Sequence, residues 1–495
     1  MTREDRRIAA GLFLVAFVTF AWFFGGGGWN QNAQFDLMRA VVERRTFYVD
    51  GYAVNTGDLS TGWRGHTYIN KPPGVSLLAA IPYAPVYAIE RAFHMPIDRW
   101  LLMTVNAWIV TVLTCGVTGA LIPAVLYLYM RRRAGSSPLA AAAIAYAIAF
   151  GTIIFPYSTM LFAHVPAALF LLLAFVWHDR RPLLAGVCAG IAGLCFYFCI
   201  PAAAVILVLV LTRSWKSALR FVAGGIPFGI LLGWYHYECF GSPWRTSVES
   251  SGGFTEQGKL FGVIGKPAID ALWGITFSPY RGLFYSSPIL LVAILGIIMM
   301  ITRRAMLREL TAIVVISLIF IIGTASFNGW SGGSAFGPRY LLPIVPLLAI
   351  PMTFAVPMFR ILYIVLGVVS IAINFIATAV DPMPSALLDD PLRTYIVSPF
   401  LTGHLPRKTA EAFKMSSHVG KVGINVQTID EPGPWMTYPA GSREAEWAAF
   451  NLGELLFGSG GRSSVVPIAI WMVAGAFTLA AALRWPLRRL SRDSP

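Results

Sequence analysis

The sequence predicts an all-α, polytopic integral membrane protein, and three observations carry that expectation. Of its 495 residues 56% are hydrophobic and 13% charged, where a soluble domain carries about 25% charged residues. Mean hydropathy is +0.65, and apolar runs approaching the ~20 residues of a bilayer crossing recur through nearly the whole chain. They are too many for one anchor or a cleaved leader. The formal charge of +14 lies in short loops between the runs, a pattern of membrane topology that argues against nucleic acid as a partner.

Apolar runs at 8–25, 101–130, 138–155, 160–177, 183–199, 200–212, 219–236, 285–302, 309–326, 338–357, 360–379 and 464–483 predict about 12 transmembrane helices. The shortest loops hold the cations: Arg6 and Arg7, Arg131 to Arg133, Arg180 and Arg181, Arg213 with Lys216 and Arg220, Arg303 and Arg304, and Arg484 with Arg488 and Arg489. The positive-inside rule sets these in the cytoplasm, with both termini. A further run, 74–93, either dips into the outer leaflet and returns or crosses while 101–130 breaks in two. Pro82, Pro85 and the Glu90, Arg91 pair favour the first.

Residues 26–73, 237–284 and 380–463 then face outward. The chain divides into a transmembrane domain (1–379) carrying the first two outer loops, a small outer cap (380–463), and a last helix with a cytoplasmic tail (464–495). Residues 138–177 hold only His164 as an ionisable group, and 183–212, 285–302 and 464–483 hold none. Ion-coupled transporters place ionisable groups near the midplane; here the polar groups gather at the outer helix ends, as Tyr157, His164, Arg281, Arg339 and Tyr340. Chemistry at the outer surface follows more readily than passage through the bilayer. Cys115, Cys188, Cys195 and Cys199 fall in apolar runs and Cys239 in a polar loop, which suggests neither a disulfide framework nor a metal cluster.

The first outer segment reads WNQNAQFDLMRAVVERRTFYVDGYAVNTGDLSTGWRGHTYINKPPG. Residues 34–43 have the spacing of a short interfacial helix. Asp36, Glu43, Asp50 and Asp58 precede a cationic and aromatic end, Arg64, His66, Tyr68 and Lys71. Pro72, Pro73 and Gly74 fix the backbone after Lys71 and hold its ammonium near the headgroup plane, where a lipid phosphate lies.

An acidic segment after the first helix, then an aromatic residue before Lys-Pro-Pro and a hydrophobic helix, resembles the membrane glycosyltransferases of the GT-C superfamily. The pattern is most similar to lipid A aminoarabinose transferases and protein O-mannosyltransferases of the family 39 type. SPYRGLFYSSPILL at 278–291 and NGWSGGSAFGPRYLLP at 328–343 look like bacterial members, which implies the inner membrane and a site on its outer, periplasmic face. The resemblance implies inverting transfer of a sugar from a polyprenyl-phosphate donor to a lipid, glycan or protein acceptor. A first-loop carboxylate serves as base and cations meet the departing phosphate: Lys71, with Arg339 and Arg281. His66, Tyr68, His164 and Tyr340 are the expected substrate contacts.

One departure concerns the base. Relatives commonly carry an acid three positions before an early aromatic of this loop, and counting back from Phe35 reaches Asn32, which cannot act as one. Asp58, in an NTGD turn 13 residues before Lys71, and Asp36, a turn further along the helix, are equal candidates. Each has a plainer reading: Asp58 stabilising its own turn, Asp36 solvating an interfacial helix, Lys71 and Tyr340 anchoring helix ends, His164 a hydrogen-bonded structural histidine. No HxxH, HExxH or DxD spacing occurs, so no metal or other cofactor is expected. The cap, with Asp389, Asp390, Trp435, Trp447 and an amphipathic patch at 408–414, offers no sugar or acceptor signature. The rival readings are a lipid or polysaccharide flippase, and a glycan polymerase or ligase using a lipid diphosphate.

Overall fold

The structure, a computed structural model, describes residues 2–97, 100–251, 255–403, 405, 449–457 and 461–490. Trp435, Trp447 and the 408–414 patch lie outside them. The described chain is helical apart from two two-stranded antiparallel sheets, Phe23–Phe24 with Phe450–Asn451 and Leu59–Thr61 with Thr67–Ile69.

Helix α1 (Arg3–Trp22) begins in a capping box, in which the Thr2 side chain accepts from the Asp5 amide and the Asp5 carboxylate accepts from that of Thr2. After the Phe23–Phe24 strand and four glycines, α2 (Trp29–Arg39) runs into a π-helical turn, Ala40–Arg44. Then α3 (Gly74–Ala92) lies along α2: the Ser76 hydroxyl donates to Gln34, Tyr83 donates to Glu43 and its ring meets Phe35. Contacts from the start to the middle of α3 thus go to α2 and the π turn after it, and α3 carries Pro82 and Pro85 inside it. Helices α4 (Trp100–Thr111) and α5 (Val117–Arg133) join through a π turn, Val112–Gly116, so the long run at 101–130 stays in one piece.

The remaining helices are α6 (Pro138–Phe150), α7 (Ile154–Ser158), α8 (His164–Trp177), α9 (Pro182–Cys195), α10 (Cys199–Leu211), α11 (Trp215–Phe240), α12 (Ile269–Thr276), α13 (Leu283–Ser286), α14 (Leu291–Thr302), α15 (Leu307–Ala325), α16 (Val345–Ala355), α17 (Arg360–Val380), α18 (Val397–Thr402), α19 (Leu452–Phe457) and α20 (Val466–Leu490). Among the described residues, five helical stretches are long and apolar enough to cross a membrane unaided: 102–133, 215–240, 307–325, 360–380 and 462–483. Their outward faces are apolar, with Leu219 and Ile226 on α11, Ile361, Ile364 and Val368 on α17, and Ile470, Val473 and Phe477 on α20 all exposed. Such a surface requires lipid around it, and the protein is an α-helical membrane protein.

The apolar runs at 138–155 and 160–177 are shorter as helices than as runs, because α6 ends at Gly151 and α8 starts only at His164. Conversely α11 continues to Phe240, so Cys239 sits inside a helix and is buried instead of standing in a polar loop. Helix α9 packs most closely on α11: Gly186 touches the Phe221 carbonyl and Gly224 the Leu183 carbonyl, where any β-carbon would strike backbone.

The cationic loops gather at one end of the bundle. Arg131 pairs with Asp5 at 3.0 Å, Arg133 with Asp179 at 3.1 Å and Glu309 at 3.5 Å, and Arg213 also reaches Asp179. The starts of α8 and α10 and the ends of α9 and α15 lie at the other end, where a cavity opens.

Candidate functional site

The cavity holds about 1680 Å³, and its walls come from distant parts of the chain: the start of α2, the segment 58–72, the α9–α10 junction, α11, the 328–340 loop and the segment after α17. Asp58 and Lys71 enter it through a hairpin. Leu59 pairs with Ile69, Ser60 with Tyr68 and Thr61 with Thr67, closed by a turn containing Gly65 at φ +80°. This register brings the residues flanking the open end together. The Asn70 amide donates to the Asp58 carbonyl at 3.0 Å, and Lys71 Nζ stands 3.1 Å from Asp58 Oδ1.

The hairpin is fastened at several points. The Thr56 hydroxyl donates to the Trp29 carbonyl and accepts from the Asp58 amide; the Ser60 hydroxyl donates to the Ser247 carbonyl. Gly74, just past Pro72 and Pro73, presses on the Leu194–Cys195 backbone. The Asp58 and Lys71 side chains are 9% and 20% exposed, so the pair is largely withdrawn from water yet reachable from the cavity.

Arg339 opens a 3-10 turn, Arg339–Ile344, and is buried. Its guanidinium lies 5.2 Å from the ring centres of Phe162 and Tyr340, and one terminal nitrogen donates to the Tyr340 hydroxyl at 3.3 Å. Arg339 Nε has no hydrogen-bond partner among the described residues. The His164 ring is set between Phe196 and Tyr340, at 4.9 and 5.5 Å, and neither ring nitrogen is hydrogen-bonded within the protein. Asp58, Lys71, His164, Arg339 and Tyr340 therefore line one cavity.

Four other expected residues lie outside its lining. Asp36 is buried on α2, whose cavity-facing residues are Trp29, Asn30, Gln31 and Gln34. Asp36 itself is fully buried and takes no part in the lining. Arg281 is buried behind the 328–340 loop, where Nε donates to the Ser331 carbonyl at 3.3 Å and Nη2 to the Gly333 carbonyl at 2.9 Å. His66, in the hairpin turn, is half-exposed, 2.6 Å from Asp50 and stacked on Tyr48. Tyr68 points into a second small core with Phe240, and burial pushes its hydroxyl up to about 12.

The structure adds residues that the sequence reading passed over. Asn30, Gln31, Gln34 and Asn70 line the polar end of the cavity; the amide-rich WNQNAQ run was their visible signal. Tyr197 is hydrogen-bonded to His236 at 2.8 Å and Ser247 at 3.0 Å. The described part of the cap contributes Met383, Ser385, Ala386 and Tyr395, the last donating to Asp381 at 3.0 Å. Away from this polar end the walls become apolar, with Ile200 and Pro201 of α10, Gly229, Ile230 and Gly233 of α11, and Ile319 and Gly323 of α15. Ile200 and Ile230 are among the exposed apolar residues of this groove. The arrangement can accept an amphiphile, with its anionic head beside Lys71 and Arg339 and its chain between α10, α11 and α15.

No family model matches the chain, and neither does any curated protein or solved structure.

Proposed function

We propose that the protein is an inverting glycosyltransferase of the GT-C type, which moves a sugar from a polyprenyl-phosphate carrier to a lipid, glycan or protein acceptor. The observation that carries this reading is the meeting, in one cavity, of a carboxylate (Asp58), two cations (Lys71 and Arg339) and an apolar groove between α10, α11 and α15. The acceptor oxygen attacks the anomeric carbon and passes its proton to Asp58. The bond from that carbon to the phosphate oxygen breaks, and the electron pair leaves with the phosphate, whose charge Lys71 and Arg339 meet. His164, Tyr340 and the carboxamides of Asn30 and Asn70 bound the space for the sugar.

The same reading sets about 12 crossings in an inner membrane, with the cationic end cytoplasmic and the cavity on the outer face. The gathering of Arg131, Arg133 and Arg213 around Asp5 and Asp179 at the end opposite the cavity supports that sidedness, and the lie of α3 along α2 supports a segment that stays in the outer leaflet.

Incubation of the purified protein with a labelled polyprenyl-phosphate hexose and extracted envelope acceptors tests the proposal. Release of free polyprenyl phosphate, dependent on Asp58, is the expected result. Movement of the intact donor across a vesicle membrane, with no bond broken, would instead make the protein a flippase.

A further inference from the structure

The loop Ser331–Ser334 stands in the cavity wall beside Arg339, and its main chain is turned in an unusual way. Gly332 and Gly333 have φ of +75° and +66°, conformations that favour glycine. Behind the loop, Arg281 is buried without an acidic partner among the described residues, and it draws the Ser331 and Gly333 carbonyls toward itself. In a planar trans peptide the N–H points opposite to the C=O. With the Gly333 carbonyl directed at Arg281, the Ser334 N–H of the same peptide is directed away from it. The Gly332 N–H returns to the Gly329 carbonyl at 2.9 Å, whereas the Gly333 and Ser334 N–H groups have no hydrogen-bond acceptor among the described residues. Both residues are exposed and line the cavity. Arg339 closes the other side, its unpartnered Nε close enough that a β-carbon on Gly332 would lie 3.0 Å away.

Two successive free amides, a buried guanidinium polarising the loop from behind and a second guanidinium alongside form a concavity of positive potential, the arrangement in which main-chain nests hold anions. We propose that the Gly333–Ser334 amides, with Arg339, form a backbone anion site that holds phosphate oxygens of the lipid carrier. Resting on the glycosyltransferase reading, this divides the work of charge stabilisation. Lys71 is already paired with Asp58, and the main-chain amides supply donors that substitutions other than proline leave in place. Arg281 acts as a positioning residue, setting the direction of the carbonyls.

The test is equilibrium binding of a fluorescent polyprenyl phosphate to the full chain in nanodiscs. Ser334→Ala keeps the amide and loses only the hydroxyl, so its affinity stays within about twofold of the parent. Ser334→Pro removes the N–H and weakens binding about tenfold. Gly333→Ala gives an independent check: its methyl meets no protein atom within 4 Å, but φ +66° disfavours alanine, so the turn that sets the two amides shifts and binding also weakens about tenfold whether or not the proline variant folds. Parental affinity in both Ser334→Pro and Gly333→Ala, or an equal loss in Ser334→Ala, overturns the backbone site. If Lys71→Ala alone weakens binding, the anion site is refuted and the glycosyltransferase reading stands; if the parent binds no polyprenyl phosphate, both fall.

Discussion

Replacement of Lys71 by alanine separates a phosphate-binding role from an anchoring one. At 3.1 Å from Asp58, an ammonium contributes a gross attraction of about 5 kcal/mol at an effective dielectric of roughly 20. With the two side chains 20% and 9% exposed, water returns much of that, and the expected stability loss in Lys71→Ala is about 1–3 kcal/mol, chiefly from leaving the Asp58 carboxylate without a partner. Turnover falls further, by roughly 100- to 1000-fold, because a donor to the leaving phosphate is lost. Adding Asp58→Asn discriminates between the two effects. The double variant recovers part of the unfolding midpoint, since no charge is left unpaired, but recovers no turnover. The measurements are thermal unfolding in detergent and release of polyprenyl phosphate from a labelled donor. Parental turnover in Lys71→Ala refutes the reasoning, whatever its unfolding midpoint.

Three more expectations follow from the same geometry. Asp58→Asn abolishes transfer in the release assay, whereas Asp36→Asn retains turnover to within about tenfold, because Asp36 is buried and does not line the cavity; the reverse ranking would return the base to α2. Glu43→Gln lowers the unfolding midpoint by the equivalent of roughly 3 kcal/mol, since Glu43 pairs with buried Arg39 at 2.6 Å and accepts from Tyr52 and Tyr83, whose hydroxyls burial pushes above their usual range. Glu90 is held above its usual carboxyl range by burial, with Asn106 opposing, so the folded state binds its proton more tightly and stability falls as pH rises past about 4.5. Glu90→Gln therefore raises the unfolding midpoint at pH 7, and the gain shrinks toward pH 4; an equal gain at both values would show that its charge is not the cause.

Much of this was legible in the residues. Composition and cationic loops gave an α-helical membrane protein, and Lys-Pro-Pro marked a lysine whose backbone had to be held. The contact between Asp58 and Lys71 was less visible, because 13 residues of separation become 3.1 Å only through the register of Leu59–Thr61 on Thr67–Ile69. That pairing also fixes which side chains turn from the cavity, and it is why His66 and Tyr68, next to Lys71 in sequence, lie elsewhere. Arg281 shows a different limit. A cation in an outer loop reads as a ligand for a substrate, whereas here the nearest acceptors are main-chain carbonyls, which sequence patterning does not reveal. The amides of Gly333 and Ser334 have no side-chain signature at all, and only the two glycines at positive φ hinted at them.

The lengths of the helices explain why a cavity of this size exists. Helices α8, α9 and α10 have 14, 14 and 13 residues, about 20 Å at 1.5 Å per residue, against a hydrocarbon core of about 30 Å. Their cationic-side ends are joined by the Asp179 cluster, so the shortfall of roughly 10 Å appears wholly at the other end, over His164 and the Cys195–Cys199 junction. Longer neighbours such as α11 and α15 continue past that level and become walls, exposing Ile230 and Ile319 to the space that the short helices leave. Water-soluble groups and a lipid chain can then meet below the membrane surface without any charge crossing the midplane. Lengthening α9 by one turn at its Cys195 end is expected to fill this space and displace Gly74 from the Leu194–Cys195 backbone, abolishing transfer although no residue of the Asp58, Lys71 and Arg339 set is changed.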